Sequence, residues 1–184
     1  MIANLNRFNS REDIKGTTPI KSSIQRGIKA KLVQAYPNLK QVIDELIPKK
    51  SQLTQIKCED RLFLYTLNGE IILFQHFDGP IIPSLRLVHK CPDAFTQVRV
   101  DRGAIKFLLS GANIMIPGLV SKGGNLPDDI EKDQYVIVTA EGKEAPAAIG
   151  LTKMSAKEMK ETNKGIGIEN VHYLGDNLWK TILE

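Results

Sequence analysis

The sequence has few cysteines and no long apolar run. Only two cysteines, Cys58 and Cys91, occur among 184 residues, and they form no C-x-x-C pair. This excludes a disulfide framework and favours a reducing compartment. No run approaches the ~18–20 apolar residues that a membrane span needs, and the N-terminus has no apolar signal-peptide core. The sequence predicts a cytoplasmic protein with no membrane partner.

Signs of catalysis are equally scarce. The three histidines, His76, His89 and His172, are scattered and have no H-x-x-x-H or H-E-x-x-H spacing, so a metal site is not expected. The phosphate-binding patterns G-x-x-x-x-G-K-[ST] and G-x-G-x-x-G are also absent from the sequence. We therefore predict a protein that is not an enzyme and that needs no cofactor.

What the sequence does have is a core and an uneven charge. Hydrophobic residues make up 42% of the chain, and the formal net charge is +4. Residues 1–95 hold 14 basic and 9 acidic side chains, a net of +5, whereas residues 96–184 hold 11 and 12, a net of −1. This shift near residue 95 predicts two domains, 1–95 and 96–184. The basic excess indicates either a solvated helix face or a contact with phosphate.

The first half favours helices followed by strands. We expect an extended or loosely ordered arm over residues 1–20. A helix should then run from Ser22 or Ser23 to about Tyr36, ended by Pro37. A second helix would follow from Asn38. The apolar stripes of the two helices comprise Ile24, Ile28, Leu32 and Val33, and then Leu39, Val42, Ile43, Leu46 and Ile47.

A hairpin signal follows. Two β-rich runs in residues 61–77 flank Asn68-Gly69, which predicts two antiparallel strands. Ser84 could cap a short helix after Pro83, although a strand fits that segment almost as well.

The second half is richer in short strands. They are expected at residues 97–100, 113–116, 134–140, 146–153 and 171–174, a spacing typical of a small barrel or sandwich. Asp101 is suited to cap a short helix reaching about Leu109, and Gly111 to end it with a positive φ. Pro117-Gly118 and the GIGIEN segment at 165–170 are interpreted as turns.

One segment carries a specific resemblance. Residues 100–118, VDRGAIKFLLSGANIMIPG, are similar to the signature of the PUA domain, named after pseudouridine synthases and archaeosine transglycosylases. The match is the ordered series V-D-x-G-A, an apolar helix, and G-A-x-[IV]-M-x-P-G. Residues 79–90 and 163–179 further resemble the malignant T-cell-amplified sequence family. The resemblance covers nearly the whole chain from residue 22 to Trp179.

The resemblance implies an α+β fold, with a pre-PUA domain of helices on an antiparallel sheet followed by a PUA β pseudobarrel. It also implies a non-enzymatic translation factor that binds the small ribosomal subunit and its rRNA. With a homologue of density-regulated protein, such a factor promotes release of deacylated tRNA, ribosome recycling and translation reinitiation.

The residues suggest how RNA would bind. Small side chains let phosphate or ribose approach backbone N–H groups, and a helix start adds a positive dipole end. By the resemblance, the expected RNA-binding residues are Arg102, Gly103, Ala104, Lys106, Gly111, Ala112 and Asn113. The basic residues Arg26, Lys29 and Lys31 are candidates for contact with rRNA or the partner. Each glycine, taken alone, could equally be a cap or a packing contact.

Two other functions remain open at this point. PUA domains also occur in RNA-modifying enzymes, so the chain could be an accessory RNA-binding subunit of one. It could also be an interaction scaffold whose PUA fold no longer binds RNA.

Overall fold

The structure is a computed structural model, and it describes residues 5–183. The chain folds into two compact units. The first comprises the described residues up to Phe95 together with residues 180–183, and the second comprises Thr96–Trp179. The expected arm at residues 1–20 is extended only over Ile14–Pro19, which forms a strand. Before that strand the arm is wrong, because Leu5–Arg7 forms a 3-10 turn and Ser10–Asp13 a helix. Residues 1–4 of that arm lie outside the described residues.

The first unit is an antiparallel sheet with helices. Its helices are α1 Ser10–Asp13, α2 Ser22–Ala35, α3 Ile43–Leu46 and α4 Leu85–Lys90. Its strands are β1 Ile14–Pro19, β2 Thr54–Cys58, β3 Leu62–Leu67, β4 Glu70–His76 and β5 Ile81–Pro83. The strands pair in sequence order, β1 to β5. The strand at Ile14–Pro19 shows no alternating hydrophobic pattern, because its residues are mostly exposed and it lies at the sheet edge.

The predicted hairpin is confirmed. Strands β3 and β4 pair from Leu62 opposite His76 to Leu67 opposite Glu70. The two turn residues both have positive φ, 52° at Asn68 and 79° at Gly69. This is the backbone that the right-handed twist of two paired strands requires, and asparagine followed by glycine adopts it at least cost.

The first long helix forms where expected and ends near Tyr36 as predicted, but its N-cap and its buried face differ. Helix α2 begins at Ser22, and its N-cap is Lys21 with no side-chain cap. Ile28 is buried, whereas Ile24 is 56% exposed, so the predicted stripe does not include Ile24. The expected second helix is broken into a 3-10 segment, Pro37–Gln41, and α3. The alternative left open after Pro83 resolves as a helix, since Ser84 caps α4.

The second unit is a curved five-stranded sheet with short helices. Its helices are α5 Ile105–Leu108, α6 Ile116–Val120, α7 Ala156–Thr162 and α8 Asn177–Lys180. Its strands are β6 Gln97–Val100, β7 Ile114–Met115, β8 Tyr135–Ala140, β9 Ala148–Thr152 and β10 Ile166–Tyr173. The spatial order is β6-β8-β9-β10-β7, with β6 parallel to β8 and the other pairs antiparallel.

Three local expectations in this unit are wrong. Pro117 and Gly118 lie inside α6, where proline occupies the first turn and loses no hydrogen bond. Most of GIGIEN belongs to β10 and is not a turn. Helix α7 was not expected, although Ser155 caps it and Glu158 stands three residues later, the pattern of a capping box.

Candidate nucleic-acid interface

A groove of about 640 Å³ opens on the second unit beside the segment with the PUA-like signature. Residues from the end of β6, from α5, from β7 and from α6 form it, together with Ile166 at the start of β10. The lining residues are Val100, Asp101, Gly103, Ala104, Phe107, Leu108, Ala112, Asn113, Ile114, Met115, Pro117, Gly118 and Ile166.

Small residues bring two segments of the groove wall together. A Cβ placed on Gly118 would lie 3.3 Å from the Cβ of Ala104, closer than most real contacts. The backbone N–H of Asp101 donates to the carbonyl of Gly118 at 2.9 Å. The two halves of the signature, at 101–104 and 117–118, are therefore one packed unit in space.

Asp101 organises this wall through its side chain. One carboxylate oxygen accepts from the backbone N–H of Ala104 at 3.0 Å, and the other accepts from the hydroxyl of Ser121 at 2.7 Å. Asp101 is thus the predicted N-cap, although the helix starts as a 3-10 turn, Arg102–Ala104, before α5.

Two backbone N–H donors at the helix start are engaged within the protein. The backbone N–H of Arg102 donates to a carboxylate oxygen of Glu141 at 2.9 Å, and that of Ala104 is held by Asp101. These two donors are already satisfied within the protein. They are not available to cradle a phosphate in this conformation.

The groove instead presents apolar surface to solvent. Phe107 is 55% exposed, Met115 is 50% exposed and Ile166 is 44% exposed, and all three line it. Exposed apolar side chains gathered around one groove are typical of a binding site, because soluble proteins otherwise bury or disperse them. An aromatic ring among them is suited to stacking with an unpaired base.

The predicted RNA-binding residues divide into two groups. Four of them line the groove: Gly103, Ala104, Ala112 and Asn113. Three do not: Arg102, Lys106 and Gly111. Gly111, with φ of 90°, ends the helical segment as expected. The Lys106 ammonium lies 5.0 Å from the centroid of the Phe107 ring, which does line the groove.

Sequence reasoning missed Asn170, which fixes one wall of the groove. Its side-chain amide donates to the carbonyls of Leu108 and Ala112, both at 3.1 Å. Its backbone N–H donates to the side-chain oxygen of Asn113 at 3.0 Å. It also missed Phe107, Met115 and Ile166. The apolar run I-K-F-L-L, residues 105–109, could have indicated an exposed apolar residue. A four-residue helix buries only one side, so some of these apolar side chains must face solvent.

The three basic candidates in the first unit have different surroundings. Arg26 is exposed on α2. The Lys29 ammonium is held inside the unit by the carboxylate of Asp44 at 2.6 Å and the carbonyl of Ile47 at 2.7 Å. This contact lowers the pKa of Asp44. Lys31 is exposed and lines a separate groove of this unit.

The polar groups best placed for chemistry are engaged in structure. Burial raises the pKa of the Cys58 thiol to about 12, so the reactive thiolate is suppressed at neutral pH. His172 Nδ1 and Asp176 Oδ2 lie 2.6 Å apart, and both side chains are 1% exposed. Asp176 also accepts the backbone N–H groups of Tyr173 and Trp179. The pair holds the end of β10 and is sealed from solvent.

Metal-binding clusters and membrane spans are both absent from residues 5–183. In that range, no three His, Cys, Asp or Glu side chains cluster in a way that would hold a metal ion. Nor does any helix in the same range have the length and apolar character of a membrane span.

Comparison with known proteins first defines a class. Residues 8–92 match the model of the Pre-PUA-like domain, and residues 96–177 match the model described as elF2D, PUA domain. A hypothetical protein from Pyrococcus horikoshii OT3 superposes with a TM-score of 0.73 at 25% identity, over 90% of this chain and 98% of that one. The fold is α+β, a pre-PUA domain followed by a PUA domain whose sheet forms a half-barrel.

Relatives of similar length then define the family. Translation machinery-associated protein 20 of Saccharomyces cerevisiae is 55% identical over 177 residues, 95% of this chain and 97% of its own length. Malignant T-cell-amplified sequence 2 of Homo sapiens is 43% identical over 174 residues, 94% of this chain and 95% of its own. The chain belongs to the family of these two proteins.

Proposed function

We propose that this protein is a non-enzymatic, cytoplasmic RNA-binding translation factor that acts on the small ribosomal subunit. With a homologue of density-regulated protein as partner, it would promote release of deacylated tRNA during recycling, and translation reinitiation. Membership in a family whose yeast member is named a translation machinery-associated protein supports the translational role. The PUA family match at residues 96–177 supports RNA as the ligand.

The apolar groove with Phe107 at its mouth is the observation that carries the proposal. Sequence-tolerant binding of unpaired RNA uses aromatic rings on which bases stack, and a base in such a groove needs no wide basic surface. The net charge of −1 over residues 96–184 fits a short contact and disfavours wrapping a duplex. The single-stranded 3′ end of a tRNA is a ligand of this size.

The charged candidates take a secondary role in this proposal. Lys106 lies against Phe107, so its ammonium can meet the phosphate next to a stacked base. Arg102 is exposed beside the Glu141-Gly142 turn. Gly103, Ala104, Ala112 and Asn113 would form the close wall against which ribose or base packs.

Two domains, 1–95 and 96–184, are part of the same proposal. The division of the described chain after Phe95 supports this boundary, and so do the two family matches on either side, whereas residues 180–183 group with the first unit. The RNA end would bind to the second domain. The basic face of the first, with Arg26 and Lys31, would contact rRNA or the partner.

The experiment measures binding of deacylated tRNA by fluorescence anisotropy, with intact tRNA and with tRNA trimmed of its single-stranded 3′ end. We expect Phe107→Ala to weaken binding of intact tRNA about tenfold or more, since one stacked base contributes ~1–3 kcal/mol. Leu109→Ala is the matched control, because Leu109 is also exposed but does not line the groove.

The proposal is tested by comparing the affinities of the wild type and the variants for the two RNAs. Trimming should weaken binding to the wild type and have little further effect on Phe107→Ala. Lys106→Glu should weaken binding and Lys157→Glu, an exposed charge on α7, should not. Equal binding of trimmed and intact tRNA would contradict the groove as the RNA site. Failure to co-sediment with small subunits at any salt concentration, with or without the partner, would contradict the translational role.

A further inference from the structure

A second groove, of about 480 Å³, lies in the first unit between α2 and the sheet. We call it the helix–sheet groove. One side is a stripe of α2 at spacings of three, one and three residues: Ile24, Gly27, Ile28 and Lys31. The other side is a row that takes one residue from each strand: Thr18, Gln55, Tyr65, Gln75 and Ile81. The groove therefore crosses all five strands, which is ~19 Å at the usual strand spacing.

Gly27 is the first sign that something else occupies this space. It stands in the middle of a 14-residue helix, where glycine is unfavourable relative to alanine. A Cβ on Gly27 would meet nothing within 4 Å, so no contact within this chain requires glycine there. Its lack of a side chain keeps the groove open along the helix.

The charge of the groove has one sign. Lys21 and Lys31 line it, both are exposed, and none of the described residues lining it is Asp or Glu. Helix α2 itself carries Arg26, Lys29 and Lys31 and no acidic residue. A ligand with carboxylates or phosphates would be complementary to this surface.

The other residues that line the groove favour a protein ligand over RNA. Ile24 is 56% exposed at the groove, next to the exposed Pro19. The one aromatic residue among the lining, Tyr65, is 5% exposed, and its ring offers no platform for a base. Exposed aliphatic groups without an exposed ring suit an apolar side chain better than a nucleobase.

The floor of the groove is a fixed polar network. The Tyr65 hydroxyl donates to the side-chain oxygen of Gln75 at 2.9 Å and accepts from the Gln55 amide at 3.3 Å. The Gln75 amide donates to the carbonyl of Gly79 at 2.7 Å. Burial raises the pKa of Tyr65, so its hydroxyl stays a donor at physiological pH. These bonds hold the three side chains of the floor in place.

We propose that the helix–sheet groove binds an extended segment of another protein that combines acidic and aliphatic residues. Its carboxylates pair with Lys21 and Lys31, and an aliphatic side chain packs on Ile24 above the gap left by Gly27. A span of ~19 Å accommodates about six residues in extended conformation.

The test uses the full chain and fluorescein-labelled peptides of about eight residues, long enough to cross the groove. The panel alternates aspartate or glutamate with valine, isoleucine or leucine. Control probes replace the acidic residues by lysine, or are a single-stranded oligouridylate. Binding is measured by anisotropy, and the bound surface is mapped by amide chemical shifts of the isotope-labelled protein.

Gly27→Leu is the decisive variant, because it fills the groove without a clash at its Cβ. Ala30→Leu is its matched control, since Ala30 is exposed on the same helix but does not line the groove. We expect acidic peptides to shift the amides of the groove and Gly27→Leu to weaken binding about tenfold or more, with Ala30→Leu unchanged. Lys31→Glu should weaken binding, and Lys40→Glu, an exposed charge outside the groove, should not.

Three results would overturn the proposal. The first is that no acidic peptide binds, and the second is that Gly27→Leu and Ala30→Leu bind alike. The third is that oligouridylate shifts the groove amides while the peptides do not, which would assign the groove to RNA. None of these depends on tRNA binding at the other groove, so the two proposals can fail separately.

Discussion

Single side chains set the shape of the groove at residues 100–118, and Asn170 is the clearest case. It joins β10 to the carbonyls of Leu108 and Ala112 through both hydrogens of its amide. We expect Asn170→Ala to cost about 1–3 kcal/mol of unfolding free energy, since it removes two hydrogen bonds of about 0.5–1.5 kcal/mol each. The Leu108 carbonyl keeps its bond from the backbone N–H of Gly111. Urea unfolding followed by circular dichroism measures this.

The same variant tests whether groove shape matters for binding. Asn170→Ala should also weaken tRNA binding, because the Ala112 carbonyl loses its bond to β10, while Asn113 keeps its bond to the backbone N–H of residue 170. Asn6→Ala, an exposed asparagine of the other unit, serves as control for binding. A stable protein with unchanged tRNA affinity would show that the loop position does not matter.

Among single residues, those in the motif could be predicted from the sequence better than those whose role depends on exposure or on distant contacts. Gly103, Ala104 and Ala112 stand in an ordered motif, so they could be named in advance, and they line the groove. Phe107 could not, because exposure of an apolar residue depends on how many sides of a short helix are covered. Asn170 is 57 residues away from Asn113, and only the fold brings them together.

The paired strands β9 and β10 pack closely at Gly150. A Cβ on Gly150 would lie 2.3 Å from Cγ2 of Ile168 and 3.1 Å from the carbonyl of Glu169. We expect Gly150→Ala to destabilise the protein by about 2 kcal/mol or more, because part of this clash is with backbone that cannot move aside. Thermal unfolding by calorimetry checks the direction and size.

Gly16→Ala is the control for this substitution. Gly16 also lies in a strand, but a Cβ there would meet nothing within 4 Å. Alanine should therefore be tolerated or slightly stabilising. Equal effects of the two substitutions would mean that the sheet relaxes around Gly150.

Helices and strands marked by turn residues or by a periodic apolar pattern could be predicted from the sequence. Strands that lack both signals could not. The β3–β4 hairpin depends on two turn residues, and the α2 helix on a periodic pattern ended by proline. Strand β1 has neither signal, since it is an exposed edge that exists only because β2 pairs with it. Strand β7 has only two residues, and its pairing with β10 decides its length.

At the scale of the whole molecule, each unit has a core of its own. Leu64 is fully buried in the first unit, and Leu119 is 1% exposed in the second. A domain is stabilised by its own hydrophobic core. We therefore expect each unit to unfold independently of the other. The proposed boundary at residue 95 would therefore separate two cores that are stable independently of each other.

Matched leucine substitutions test this boundary. Leu64→Ala and Leu119→Ala should each cost about 2–5 kcal/mol, as large-to-small core changes do. Native-state hydrogen exchange should then show faster exchange in the strands of the altered unit only, β2 to β4 for the first variant and β8 to β10 for the second. If either variant accelerates exchange equally in both units, the chain unfolds as one cooperative body and the two-domain proposal is wrong. If exchange is confined, the two grooves proposed to bind tRNA and a peptide lie on independently stable units. Variants made in one groove can then be interpreted without correction for the other.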